Sequence, residues 1–150
     1  MTNIFEAETT NTLLSRIEQL QDTSEPQWGK MNVAQMLAHC NVSYDMVYTD
    51  KYPKPGAFQK FIIKMLAKKA VVGPKPYPKN ARTAPEFLIT DERDFETEKT
   101  ALIQNLNKTQ ELGANYFDNR ESHAFEKLSV KEWSTLFHKH LDHHLTQFGV

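Results

Sequence analysis

The sequence has little cysteine, no long apolar run and no segment like a signal peptide at its start. Each of these absences argues against one class of protein. Cys40 is the one cysteine in 150 residues, so no disulfide can form within the chain and a reducing cytoplasm is the expected compartment. No apolar run approaches the roughly 18 residues that a membrane-spanning helix needs. The first ten residues carry neither a basic segment nor an apolar segment, so no signal peptide is predicted.

The chain is also short of excess charge. Its 18 Lys and Arg residues stand against 19 Asp and Glu residues, which leaves a formal net charge of −1. A slightly acidic chain without a recognised nucleic-acid motif is not expected to bind DNA or RNA. Its apolar content of 39% is ordinary for a globular protein, so we expect one domain, residues 1–150, with a substantial core.

Apolar side chains recur at helical spacing in four long segments. No run of residues alternates convincingly between apolar and polar, as a half-buried strand would. The four predicted helices cover residues 5–21, 32–49, 91–112 and 129–150. This pattern predicts an all-α protein, specifically an antiparallel or crossover four-helix bundle in which facing helices supply the side chains of a site.

Polar residues and a glycine mark the predicted helix ends. Two segments begin with the spacing of a capping box, Asn32 with Gln35 and Ser129 with Glu132. Such a pair satisfies two backbone N–H groups at a helix start. Asp91 is expected to cap the third long helix and Gly113 to end it. Residues 114–128, which include His123, are predicted to form an irregular loop.

A basic, proline-rich stretch, residues 51–82, separates the second and third long helices. It holds nine of the 18 Lys and Arg residues, five of the seven prolines and no Asp or Glu. Two Pro-rich loops around an extra short helix, residues 58–71, are therefore predicted. The large apolar residues of this helix lie on one side and its lysines largely on the other, so we expect the apolar side to face the core. A basic amphipathic helix can instead lie on an anionic membrane or guide a charged substrate.

The last helix carries four of the six histidines. With 100° per residue and Trp133 at zero, His140 lies at about −20° and His144 at about +20°, inside the apolar stripe. His143, at about −80°, and His138, at about 140°, fall at its edge or beyond it. Because an unpartnered buried imidazole costs roughly 1–3 kcal/mol, the two inner rings need hydrogen-bond partners or a shared ion.

Residues one helical turn apart can share one ion. Their Cβ atoms are about 5–6 Å apart, which lets both rings reach a transition metal at about 2.0–2.1 Å. His39 lies on the flank of the apolar face of the second helix, where it can lean toward the bundle axis and complete a set of three with His140 and His144. The alternative is three separate core histidines with hydrogen bonds. The side chain of Cys40 diverges from His39 by about 100° and is interpreted as a small core residue.

Three motifs together resemble the DinB/YfiT-like superfamily, and more narrowly a bacterial branch of it without an established function. They are W-G-K-M-N-x-x-Q-M-L-x-H at residues 28–39, H-x-F-x-K-L-S-x-x-E-W at 123–133 and K-H-L-D-H-H-L-T-Q-F-G at 139–149. The resemblance covers essentially the whole chain. It implies a four-helix bundle and a homodimer.

The same resemblance implies a divalent metal ion, commonly nickel or zinc, with His39, His140 and His144 as its ligands and Gln147 following them. His143 is an alternative to His144, because it also lies within one turn of His140. Relatives in the superfamily include thiol-dependent S-transferases, a thiol-dependent isomerase and metal-dependent hydrolases. Leu145 and Thr146 stand where the superfamily usually has Arg-Gly, so a substrate role for that arginine is not expected here.

Three neutral imidazoles leave room for an exchangeable ligand on a divalent ion. Such an ion can lower the pKa of bound water from about 15.7 toward about 7, or bind a thiol as its thiolate. A thiol-dependent S-transferase or a hydrolase that acts on a small molecule is therefore the predicted function. The basic residues 51–82 can favour an anionic substrate or an anionic low-molecular-weight thiol. The alternative is a helical protein that binds a metal or a small ligand without turnover.

Overall fold

The computed structural model describes residues 2–150 and is mainly helical. In chain order, the elements are α1 (Ala7–Glu18), α2 (Val33–Tyr48), α3 (Ala57–Val72), a 3-10 helix (Pro85–Phe87), α4 (Phe95–Phe117), β1 (Arg120–Glu121), β2 (Lys127–Leu128) and α5 (Val130–Gln147). None of the helices within residues 2–150 combines the length and the apolar character that crossing a membrane requires. The helical character was predicted correctly, whereas the four-helix bundle of DinB/YfiT-like type stays a prediction.

Both predicted capping boxes form. The Asn32 side chain accepts a hydrogen bond from the backbone N–H of Gln35 at 2.8 Å, and the Gln35 side chain accepts one from the backbone N–H of Asn32 at 3.0 Å. Ser129 and Glu132 repeat this reciprocal pair at the start of α5. The caps fix where α2 and α5 begin, and these two helices carry the candidate site residues.

The predicted ends of α4 are wrong. Asp94, rather than Asp91, caps the helix, because its carboxylate accepts a hydrogen bond from the backbone N–H of Thr97 at 2.8 Å. Gly113 kinks the helix instead of ending it, with φ of 71° and ψ of 175°, and α4 continues to Phe117. Phe117 is fully buried, so packing holds the last turn in place beyond the kink.

The predicted irregular loop over residues 114–128 is only partly correct. It contains the end of α4 and an antiparallel hairpin in which Arg120 pairs with Leu128 and Glu121 with Lys127. The backbone N–H of Ser122 donates to the Glu126 carbonyl at 2.7 Å across the turn. Strands of two residues are too short to show an alternating pattern, so periodicity could not find them.

Helices α1, α2, α4 and α5 share one apolar core. Its fully buried side chains include Leu13, Ile17, Met36, Leu37, Leu102, Leu106, Trp133 and Phe137. The Phe137 ring stacks on both Tyr44 and Trp133, at centroid distances of 4.8 and 5.5 Å. The predicted inward face of the last helix is therefore confirmed. Cys40, 1% exposed, is the small core residue that the sequence predicted.

Helix α3 forms close to its predicted bounds but faces the opposite way from the prediction. None of its residues is buried. Four large apolar side chains point outward, namely Phe58, Phe61, Met65 and Leu66. Three of its four lysines, Lys60, Lys64 and Lys68, point toward the protein and pair with glutamates of the hairpin and α5, and Ile63 and Ala67 pack partly buried against the core beside them. The glutamates that pair with these lysines lie more than 60 positions away in the sequence, so the local pattern could not reveal this orientation.

Candidate metal site

Three histidines from two helices meet at one point beside the core. His39 lies on α2, and His140 and His144 lie one turn apart on α5. Nε2 of His140 is 2.9 Å from Nε2 of His39, and one ring nitrogen from each histidine lies within 4.8 Å of the other two. Two ligands of a tetrahedral ion with bonds of about 2.0–2.1 Å are about 3.3 Å apart. The group could therefore hold a metal ion with small adjustments of the rings.

Two of the three rings are buried and the third is partly buried. His144 is 8% exposed and His39 is 5% exposed, while His140 is partly exposed. The sequence placed His39 on the flank of the apolar face of α2, and the structure shows that its ring leans inward. Ring centroids of His39 lie 4.9 Å from His140 and 4.5 Å from His144.

The protonated nitrogen of His39 follows from its hydrogen bond. Nδ1 of His39 is 2.8 Å from the carbonyl oxygen of Phe87. A carbonyl can only accept, so Nδ1 carries the proton and Nε2 of the neutral ring keeps its lone pair. That lone pair faces the other two histidines. The 3-10 helix that contains Phe87 thus sets the tautomer of a histidine on α2.

The orientation of His144 depends on Gln147 in the same way. The side-chain amide nitrogen of Gln147 donates to the Trp28 carbonyl at 2.7 Å, so its amide oxygen faces Nδ1 of His144 at 2.7 Å and accepts the ring proton. Gln147 is 3% exposed. Gln147 is not one of the three candidate ligands. It orients the His144 ring so that unprotonated Nε2 is free to bind a metal, which is the usual arrangement around a metal-ligating histidine.

Ser43 is the partner of His140, at 3.0 Å between its hydroxyl oxygen and Nδ1. Because Nε2 of His39 is an acceptor, Nε2 of His140 donates to it at 2.9 Å and Nδ1 of His140 accepts from the Ser43 hydroxyl. A hydroxyl can also accept, so Ser43 equally supports the other tautomer, in which Nε2 of His140 is free to bind an ion. Sequence reasoning missed Ser43. Its position one helical turn after His39 on α2 was the signal that could have found it, because residues i and i+4 share a helix face.

All three rings are neutral at pH 7. Burial lowers the pKa of His39, and it lowers the pKa of His144 to about 3. Burial also holds the pKa of His140 well below its ordinary value, and the neighbouring histidines add to this effect. Unprotonated imidazole nitrogens are donors that nickel and zinc accept readily. The residues present therefore fit a divalent transition metal.

The model of a family of proteins of unknown function, DUF1569, matches residues 4–149. The chain belongs to this family. The match includes all three histidines and both helices that carry them. Comparisons with curated proteins and with solved structures give no significant match. The resemblance of this DUF1569 protein to the DinB/YfiT-like superfamily stays a prediction.

The remaining histidines of the DUF1569 chain lie outside the group. Among residues 2–150, the only set of three with metal-ligand spacing is His39, His140 and His144, and it does not include His143. The His143 ring packs against Trp28 at 5.7 Å and Tyr77 at 5.6 Å. Burial lowers the pKa of both His138 and His123, but neither ring joins the set.

An open cleft of about 220 Å³ lies beside His143. Trp28 and Tyr77 form its aromatic walls, and the Tyr77 ring also contacts His140 at a centroid distance of 6.4 Å. Nζ of Lys79 lies 4.3 Å from the centre of the Trp28 ring. Lys139 also lines the cleft, but its ammonium donates to three backbone carbonyls at the end of α3. Lys79 is therefore more available than Lys139 to bind an anion in this cleft.

Gly29 packs directly against Gln147. A Cβ added at Gly29, where φ is +86°, would lie 2.6 Å from the Gln147 amide nitrogen. We expect Gly29→Ala to push Gln147 off the Trp28 carbonyl and to weaken metal affinity about 10–100-fold, the usual cost of losing a group that orients a ligand. Isothermal titration with Zn²⁺ would measure this.

Gly113→Ala is the matched control for this substitution. Gly113 has a similar φ of +71° but no atom within 4 Å of its added Cβ. Both variants should lose about 1 kcal/mol of stability through backbone strain, while only Gly29→Ala should lose metal affinity. Equal metal affinity in the two variants would show that Gln147 does not orient His144.

Proposed function

We propose that this DUF1569 protein binds a divalent metal ion, nickel or zinc, through His39, His140 and His144. We further propose that it is a cytoplasmic, homodimeric metal-dependent enzyme, either a thiol-dependent S-transferase or a hydrolase, that acts on a small molecule. Membership of the DinB/YfiT-like superfamily, with its four-helix bundle, is part of this proposal. The observation that carries it is the convergence of three imidazoles, two of which, His39 and His144, present an unprotonated nitrogen because Phe87 and Gln147 hold the opposite one.

Three protein ligands are the number found in catalytic sites, because a fourth position stays open for substrate or water. A divalent ion bound there would supply Lewis acidity and lower the pKa of a coordinated water or thiol. The chain itself supplies neutral rings in fixed orientations. Phe87 packs its ring edge against His39 at 5.3 Å and His140 at 5.7 Å, which excludes water from that side of the group.

The thiol of a transferase reaction must come from a small molecule. Cys40 is the only cysteine and is 1% exposed. Burial raises its pKa, and its Sγ lies against Sδ of Met36 at 3.8 Å. A thiol that is buried and protonated is a poor nucleophile. A low-molecular-weight thiol that enters from solvent is therefore the proposed co-substrate.

We assign the substrate to the cleft beside His143. Its aromatic walls, Trp28 and Tyr77, suit a small organic molecule, and Lys79 suits an anionic group on the substrate or on the thiol. The sequence suggested that the whole basic stretch could serve this purpose. Lys60, Lys64 and Lys68 are instead paired with glutamates, which leaves fewer cations for an anionic ligand.

Cobalt substitution tests the metal and its open position together. Protein loaded with Co²⁺ should show visible absorption bands, and a small thiol such as glutathione should add a sulfur-to-cobalt charge-transfer band in the near ultraviolet. Conjugation of the same thiol to a reactive electrophile should then depend on the metal. Neutral 2-mercaptoethanol should bind more weakly than anionic glutathione if Lys79 contributes.

The outcomes separate the two classes of function. Bound cobalt with no spectral response to thiols, and no metal-dependent thiol conjugation or ester hydrolysis, would contradict the enzyme proposal and favour a helical protein that holds a metal without turnover. Failure to bind cobalt, nickel or zinc would contradict the metal site itself.

A further inference from the structure

The outer face of α3 is apolar and exposed. We define it by six residues, Phe58, Phe61, Ile62, Met65, Leu66 and Lys69. Its four largest apolar side chains are Phe58, Phe61, Met65 and Leu66, which are 79%, 58%, 63% and 74% exposed. With 100° per residue these four span an arc of about 140°, so they form one continuous stripe.

The side of α3 that faces the protein carries three lysines beside a narrow apolar strip, Ile63, Ala67 and Val71, which packs partly buried against the core. Lys60, Lys64 and Lys68 lie at i, i+4 spacing and each binds a different glutamate, in the pairs Lys60–Glu121 at 2.8 Å, Lys64–Glu126 at 2.6 Å and Lys68–Glu132 at 2.9 Å. At the end of the helix, the Lys139 ammonium donates to the carbonyls of Ala70 and Gly73, both at 2.7 Å. Rolling α3 to bury its apolar stripe would break all of these contacts. The outward orientation is therefore built into the fold.

We propose that a second copy of the chain packs on the α3 outer face, with the two α3 helices antiparallel about a twofold axis. This contact supplies an interface for the homodimer of the proposed function. It uses no residue of the histidine group, so the proposed interface and the proposed metal site can be tested and refuted separately.

The exposed area of the stripe suits an interface between two copies. With aromatic side chains that offer about 150–250 Å² each, the four large residues expose roughly 500 Å², which lies within the range of the largest patches on monomers. Two such patches in contact bury about 1,000 Å², and the flanking Ile62 and the Lys69 stem bring the total toward the 1,200 Å² at which specific interfaces begin.

Charge favours a second copy over a membrane. Helices that bind anionic membranes present free lysines beside their apolar face. Here three of the four α3 lysines are neutralised by Glu121, Glu126 and Glu132. An almost uncharged stripe is self-complementary, as an interface on a twofold axis must be.

Lys69 favours the antiparallel arrangement. It lies within about 20° of Phe58 on the helix surface, at the other end of the stripe. A twofold axis between Ile62 and Met65 places Lys69 of one copy opposite Phe58 of the other, where a cation–π contact can form. A parallel arrangement would instead bring the two Lys69 ammonium groups together, and like charges repel.

Sedimentation velocity over a roughly hundredfold range of protein concentration tests the interface. The wild-type chain of 17.4 kDa should sediment as a dimer at the upper end of the range. The double variant Phe61→Glu, Met65→Glu should sediment as a monomer throughout, because both positions lie beside the axis and the new carboxylates of the two copies would face each other there. Both positions are exposed, so the variant should keep its fold and its metal content. Leu88→Glu is the matched control, since Leu88 is 63% exposed but lies outside α3, and it should behave as the wild type.

Disulfide cross-linking tests the direction of packing. Cys40 is buried, so an introduced cysteine is the reactive one. A cysteine at Met65→Cys lies near the proposed axis and should form a disulfide with the same cysteine of the second chain. A cysteine at Lys69→Cys lies far from its counterpart and should not. A monomeric wild type, a double variant that stays dimeric, or cross-linking through Lys69→Cys would overturn the proposal. A monomer that cosediments with phosphatidylserine vesicles would assign the face to membranes instead.

Discussion

Replacing His144 by alanine should abolish metal binding and leave the helical fold intact. The substitution removes one of three converging imidazoles and leaves the Gln147 amide oxygen without its donor. Loss of a group that merely orients a ligand costs about 10–100-fold in metal affinity, so loss of the ligand itself should cost more than about 100-fold. Elemental analysis by mass spectrometry would measure the metal content, and circular dichroism would measure helix content.

The fold should persist because other side chains hold α5. Trp133, Phe137 and Leu141 are each no more than 2% exposed, and their packing does not depend on His144. His39→Ala, on α2, should lose metal to the same extent. Loss in both variants would show that one ion is bound by both helices. His143→Ala is the control and should keep its metal. Wild-type metal content in His144→Ala would refute the assignment of the ligands.

The position of His140 and His144 could be predicted because local rules decide it. Ser129 and Glu132 fix the start of α5, and counting from there places both rings on the face that also carries Phe137. The tautomers could not be predicted in this way. They depend on Phe87 and Trp28, which reach the site from a 3-10 helix and from a loop far from α5 in the sequence.

The errors in the predicted fold arose where contacts between distant residues decide the structure. The composition of α3 suggests that its large apolar side chains face the core, yet the helix packs through a narrower apolar strip and pairs its lysines with Glu121, Glu126 and Glu132. Gly113 has the character of a helix end, but the burial of Phe117 carries the helix past it. At Gly113, tertiary packing overrides a local preference of about 1 kcal/mol.

The metal-free protein should lose much of its stability as the pH falls from 7 to 5. Burial lowers the pKa of His144 from 6.5 to about 3, so below pH 6.5 the unfolded chain binds a proton that the folded chain does not. Stability therefore falls with pH across the window from 6.5 down to about 3. At about 1.4 kcal/mol per pH unit for one site, His144 alone should cost about 2 kcal/mol at pH 5. His39 and His140, whose pKa values are also lowered, add to the loss in the same direction.

Urea unfolding in the presence of a chelator, at pH 7, 6 and 5, would measure this loss. Carboxylates contribute little in that range, because their pKa values in the unfolded chain are about 4. His144→Gln removes one titrating group, so it should lose about 2 kcal/mol less than the wild type between pH 7 and pH 5. An equal free energy of unfolding of the wild type at pH 7 and pH 5 would contradict the conclusion that these imidazoles are buried and neutral. Zn²⁺ should raise stability at pH 7 more than at pH 5, because protons compete with the ion for the same nitrogens.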